Sequence, residues 1–139
     1  MHRNLSVILL LLISSFFHVT HAFAIQQQDK PFLPILLMHG ITAGPGAMND
    51  LKKFIQQSAP ANTLVISVPS ENYTTSVLQP MVNQLKDFTQ KVNMLKQQYG
   101  FTDHHLICHS QGGLLCRTYV QTAADHNVKV FISLSGGWY

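Results

Sequence analysis

Leu106-Ile107-Cys108-His109-Ser110-Gln111-Gly112-Gly113-Leu114-Leu115-Cys116-Arg117 is the stretch that decides the fold. An apolar, β-prone run meets a serine, a glutamine and two glycines, and then a segment that reads as a helix. This is the pattern of a nucleophile elbow, in which a serine sits on a sharp strand-to-helix turn. Such a turn packs only where near neighbours lack bulk, which accounts for glycine two positions after the serine. It also sets the backbone N–H of Gln111 at a helix N-terminus, where unpaired donors favour a developing oxyanion. The usual pattern has glycine two residues before the serine; Cys108 stands there instead. Taken alone, the five residues also fit a serine at an ordinary strand-to-helix turn.

Working outward, the rest of the chain supplies the alternation that such a turn needs. Pro31 to Met38 is an unbroken apolar run ending in His39-Gly40, as suits a strand buried on both faces of a parallel sheet. A loop from Ile41 to Gly46 follows, with Pro45 in the first turn of a helix reaching to about Ser58. Thr63 to Val68 reads as a second strand. Helical spacing of apolar residues runs from Val77 to Tyr99, with Pro80 in the first turn and Gly100 as a stop. His104 to His109 is the third strand, Gln111 to about Ala124 the helix behind the elbow, and Val128 to Leu134 a fourth strand. Strands alternating with helices build a doubly wound parallel sheet, an α/β fold.

Composition narrows the setting. The 139 residues allow one domain, and 46% are apolar. Met1 to Ala24 has a basic start, an apolar stretch too short to span a bilayer comfortably and small residues at its end, the features of a secretory signal peptide. The domain division is therefore 1–24 signal peptide and 25–139 folded domain, with no stable membrane span once the signal is cleaved. Loss of Arg3 lowers the formal charge from +3 to +2, and without a basic cluster nothing points to nucleic acid or an anionic membrane. Asn72-Tyr73-Thr74 is a glycosylation sequon at Asn72, in keeping with the secretory pathway. Cys108 and Cys116 flank the elbow; with strand and helix diverging there, two buried free thiols are the expectation, not a bridge.

His39-Gly40-Ile41 is the second motif. In an α/β-hydrolase the residue after such a glycine offers its backbone N–H as the other oxyanion donor, which makes Ile41 the candidate beside Gln111. His39 is expected to order this loop.

These motifs resemble the palmitoyl-protein thioesterases, lysosomal α/β-hydrolases that remove fatty acyl groups from cysteine thioesters. The likeness rests on Leu36-Leu37-Met38-His39-Gly40-Ile41, on His109-Ser110-Gln111-Gly112-Gly113 with Leu114 to Arg117, and on Ile132-Ser133-Leu134-Ser135-Gly136. Cys108 in place of glycine is similar to one branch of the family. The resemblance implies Ser110 as nucleophile, the amides of Ile41 and Gln111 as oxyanion hole, and support from His39, Gly40, Gly112 and Gly113. It implies S-acylated proteins or peptides and fatty acyl thioesters as substrates, no metal or other cofactor, and a lysosomal or extracellular location. In this fold the acid and the histidine of the triad follow the serine on later strands. Asp125 and His126 are poorly placed for those roles, and His39, His104, His105 and His109 give no evident base. The expectation is an N-terminal portion of the fold, its triad partners lying beyond Tyr139. Two other readings stay open: a general lipid or carboxylic ester hydrolase, and a truncated non-catalytic product.

Overall fold

The computed structural model describes residues 32–70 and 75–136. The signal peptide expected at 1–24 and the sequon at Asn72 lie outside the described residues.

Four parallel strands form one sheet in the order β2-β1-β3-β4. They are β1 (Ile35–Met38), β2 (Val65–Ser67), β3 (His104–His109) and β4 (Val128–Leu134). Every residue of β1 is buried, as its unbroken apolar run requires for a strand flanked by β2 and β3. The register places Met38 opposite Cys108 and Cys108 opposite Ser133, so the ends of β1, β3 and β4 meet at one rim of the sheet.

Helices cover both faces. On one, a 3₁₀ turn (Pro45–Met48) leads into α1 (Asn49–Ser58), and Met48 packs with Ile35, Leu37 and Val65, backed by Leu51 and Ile55. On the other, α3 (Met81–Tyr99) and α4 (Gln111–Thr122) bring Phe88, Val92, Leu95, Leu115 and Tyr119 against Leu36, Met38 and Leu106. Gly100 ends α3 with φ of 68°, a left-handed cap whose N–H reaches Lys96. None of the described helices is long and apolar enough to cross a membrane.

Two expectations change. The helix read from Val77 to Tyr99 is interrupted: α2 (Thr75–Leu78) ends before Pro80, and α3 restarts after it. Proline lacks the N–H that would continue the ladder and disfavours helical backbone in the residue before it. It therefore serves as the cap of α3, its carbonyl accepting from the Asn83 and Gln84 amides at 2.9 and 3.2 Å. The second change is a disulfide between Cys108 and Cys116, where free thiols were expected. The turn at Ser110 is tight enough to bring the two Cα atoms to 6.6 Å, inside the bridging range, so strand and helix have not yet diverged at Cys116.

Candidate active site

Ser110 occupies the turn between β3 and α4 with φ 53° and ψ −128°, a strained conformation for a residue with a side chain. Local bonds hold it there. Its N–H donates to the Leu134 carbonyl at 2.8 Å, and its own carbonyl accepts from the Gly113 amide at 2.8 Å. Holding a backbone of this kind costs on the order of 1–3 kcal/mol, which the surrounding packing must offset.

The small residues have separate tasks. A Cβ on Gly112 would run into the His39 carbonyl oxygen and lie 3.0 Å from Met38 Cγ, so the first turn of α4 sits directly on the end of β1. A Cβ on Gly113 would lie 2.6 Å from Ser133 Oγ and 3.2 Å from Gly136 Cα, at the end of β4. The elbow is thus wedged between the ends of the strands on either side of β3. Gly40 is close to the serine itself: a Cβ there would fall 2.8 Å from Ser110 Cβ and 3.3 Å from Ser110 Oγ. Only glycine lets the loop after β1 approach so near.

This approach brings two backbone amides to the serine. Gln111 is the first residue of α4, and Ile41 follows Gly40; among the described residues neither N–H has an acceptor. His39 is buried at 1% exposure beneath the same loop. Its Nδ1 lies 2.9 Å from the Gly40 carbonyl oxygen and its Nε2 lies 2.7 Å from that of Ser70.

A groove of about 350 Å³ opens beside Ser110, lined by Gly40, Ile41, Ala43, Ala47, Met48, Leu51, His109, Ser110 and Leu134. Its walls are mainly aliphatic. Spacing suggests one apolar face for Met48, Leu51, Phe54 and Ile55; Met48, Leu51 and Ile55 pack inward, whereas Phe54 is exposed.

The other sequence-derived candidates fall as follows. His109 is exposed and lines the same groove, without a hydrogen bond to Ser110. His104 and His105 lie at the far end of β3, and His126 precedes β4 there, its Nδ1 accepting from the Val128 amide at 2.8 Å. Among the described residues, no side chain hydrogen-bonds Ser110 Oγ. Sequence reasoning missed Ser70 and Asp87, whose side chains join at 2.7 Å behind His39. Nothing in their spacing signals it, because the contact depends on how the loop after β2 folds over α3.

A family model described as palmitoyl protein thioesterase matches residues 34–137. Curated relatives include the lysosomal thioesterase PPT2-B of Xenopus laevis, 35% identical over 104 residues, covering 75% of this chain and 35% of that protein. The lysosomal thioesterase PPT2 of Homo sapiens is 34% identical over 106 residues, covering 75% of this chain and 33% of that protein. Palmitoyl-protein thioesterase 3 of Dictyostelium discoideum is 36% identical over 105 residues, covering 74% and 35%. The chain thus spans about a third of the length of these relatives.

Solved structures agree on the fold. An extracellular alpha/beta-hydrolase from a Paenibacillus species superposes with a TM-score of 0.56 at 19% identity, over 77% of this chain and 42% of that one. The mature form of the Bacillus licheniformis lipase BlEst2 gives 0.56 at 21% identity, over 80% and 43%. With a four-stranded parallel sheet, a serine turn after β3 and a family match across three quarters of its length, the chain belongs to the palmitoyl protein thioesterase family and carries part of an α/β-hydrolase fold.

Proposed function

We propose that Ser110 is the nucleophile of a thioesterase that hydrolyses fatty acyl groups from the cysteines of S-acylated proteins or peptides. The observation that carries this reading is the meeting, at one rim of the sheet, of a strained serine, two amides unpaired among the described residues and an aliphatic groove.

In this reading the acyl chain lies along Ile41, Ala43, Ala47, Met48 and Leu51, which removes its apolar surface from water. Ser110 Oγ attacks the thioester carbonyl, and the charge that develops on oxygen is held by the amides of Ile41 and Gln111. Collapse of the tetrahedral species breaks the C–S bond and releases thiolate; water then attacks the acyl-enzyme and frees the fatty acid. Thiolate leaves readily, so the main demands are activation of the serine and oxyanion stabilisation. The general base that takes the Oγ proton lies outside the described residues. The names of the curated relatives, with the leader-like first 24 residues, support a secretory route to the lysosome.

Thiol release from a palmitoylated cysteine peptide tests the proposal. The protein that carries this chain together with its triad partners is expected to cleave it, and Ser110→Ala to lower kcat by about 10³-fold or more. Residues 25–139 alone are expected to turn over very slowly. Faster cleavage of the matched oxygen ester than of the thioester overturns the thioester assignment in favour of a general ester hydrolase.

A further inference from the structure

Gly40 is small because Ser110 leaves no room for a Cβ, and glycine brings a freedom of backbone rotation that an oxyanion donor cannot tolerate. The structure ties down the same peptide from its other side. The Gly40 carbonyl and the Ile41 N–H belong to one planar, trans peptide group, so fixing the direction of the carbonyl fixes that of the N–H. His39 Nδ1 stands 2.9 Å from that carbonyl oxygen. Nε2 lies 2.7 Å from the Ser70 carbonyl oxygen; since carbonyls only accept, both ring contacts are made together when each nitrogen carries a hydrogen, and Ser70 Oγ donates to Asp87 Oδ2 at 2.7 Å. His39 and Ser70 are at most 1% exposed, so water does not compete for the two contacts of the ring, while the Ser70–Asp87 contact is partly buried.

We infer that Ser70 and Asp87, acting through His39, are positioning residues that aim and polarise the Ile41 amide. The inference rests on reading Ile41 as an oxyanion donor. Asp87 on α3 anchors the Ser70 side chain and hence the loop after β2. The Ser70 carbonyl then sets the plane of the His39 ring. A hydrogen donated from Nδ1 to the Gly40 carbonyl draws electron density toward that oxygen and makes the N–H of the same peptide a better donor. The chain of contacts joins the loop after β1 to residues 31 and 48 positions away in sequence, and it ends on a peptide beside Ser110.

The test uses the full 139-residue chain labelled with ¹⁵N, with Ser70→Ala, Asp87→Ala and Asp87→Asn. An Asn at 87 still offers an oxygen to the Ser70 hydroxyl and serves as the conservative control. In the unaltered chain the His39 ring spectrum is expected to show a hydrogen on both Nδ1 and Nε2. Ser70→Ala and Asp87→Ala are expected to move the Ile41 amide resonance while amides on β3 and β4 keep theirs, and Asp87→Asn to restore it. Affinity for a long-chain alkylboronic acid, whose boron bonds to Ser110 Oγ and becomes tetrahedral, gives the second readout. It is expected to weaken about tenfold in Asp87→Ala, less than the loss of a whole oxyanion donor, and to recover to within about twofold in Asp87→Asn.

A His39 ring nitrogen without hydrogen, Nδ1 or Nε2, overturns the inference, as does an Ile41 resonance unmoved in both alanine variants. A shift spread evenly over the sheet overturns it too, because it shows a structural role only. Failure of the unaltered chain to bind the boronic acid counts against Ser110 as nucleophile, and the Ile41 resonance still decides the role of Ser70 and Asp87.

Discussion

Strand β3 begins with His104 and His105 and ends with His109 and the turn at Ser110, and its two ends treat polar atoms in opposite ways. At the first end His104 is wholly buried against Phe101, and its Nε2 has no partner. Around it Lys96 donates to the Asp125 and His126 carbonyls at 3.0 and 3.1 Å, and burial lowers its pKa. Tyr119, packed edge-on against Phe88, has its phenol pushed up to about 12 by burial and by nearby Asp125. At the second end the Ser110 hydroxyl and the amides of Ile41 and Gln111 are also without hydrogen-bond partners among the described residues, but Ser110 and Ile41 border an open groove. An unpaired polar group sealed inside packing is a liability, whereas one at the edge of a groove is free to meet a ligand. The same strand therefore shows that an unsatisfied atom points to function only where something can reach it.

The elbow end is held by close backbone contact, and the sharpest way to break the comparison is to add one methyl group there. Gly112→Ala places a Cβ against the His39 carbonyl, a backbone atom that cannot rotate away. The expected loss of stability is about 3 kcal/mol or more, measured by urea unfolding. Gly44 offers a control in the same region: a Cβ there meets nothing within 4 Å, and its extended backbone suits alanine. Gly44→Ala is expected to change stability by no more than about 0.5 kcal/mol. Equal effects at the two glycines mean that the elbow is not the rigidly packed end.

The Cys108–Cys116 disulfide comes next in size. It ties the end of β3 to the second turn of α4 across a separation of 8 residues, with both cysteines fully buried. Closing so short a loop in the unfolded chain stabilises by about 2.5 kcal/mol. The double variant Cys108→Ala, Cys116→Ala is expected to lose that much in urea unfolding. A loss confined to the elbow, read by faster amide exchange at Gln111 and Gly112 than at Leu106, ties the bridge to the geometry of that end.

How much of this was legible in the chain depends on the range of the physics involved. The strands were readable because their apolar runs are local, and their parallel pairing followed from strand and helix alternation, whereas the order β2-β1-β3-β4 came from the structure. The elbow was readable because its small residues are adjacent in sequence. The disulfide was misread because Cα separation across a turn depends on turn tightness, which two helical turns of sequence do not reveal. Pro80 was placed in the first turn of one helix because the apolar spacing continues across it, although its missing N–H separates α2 from α3. The contacts of His39 with Ser70, and of Ser70 with Asp87, join segments far apart in the chain and leave no periodic trace.

The smallest expected effect lies at the other end of β3 and concerns pH. Burial lowers the pKa of His104 from the ordinary value of 6.5; Lys96, His126 and His105 push the same way, while the bond from Nδ1 to the Thr102 carbonyl, 3.1 Å long, opposes them. In the unfolded chain the same ring takes up its proton near pH 6.5, so below that pH the unfolded state binds more protons than the folded one. His104 therefore contributes stability that is fully present above about pH 6.5 and is lost as pH falls toward the lowered folded value, below which the loss levels off. Urea midpoints measured from roughly pH 7.5 to 4.5 are expected to decline on the acid side, and His104→Phe, which keeps an aromatic ring beside Phe101, to flatten that decline. An unchanged slope in the variant assigns the acid sensitivity to other groups. It also removes the contrast between the ends of β3, because the sealed histidine would then behave like any exposed one.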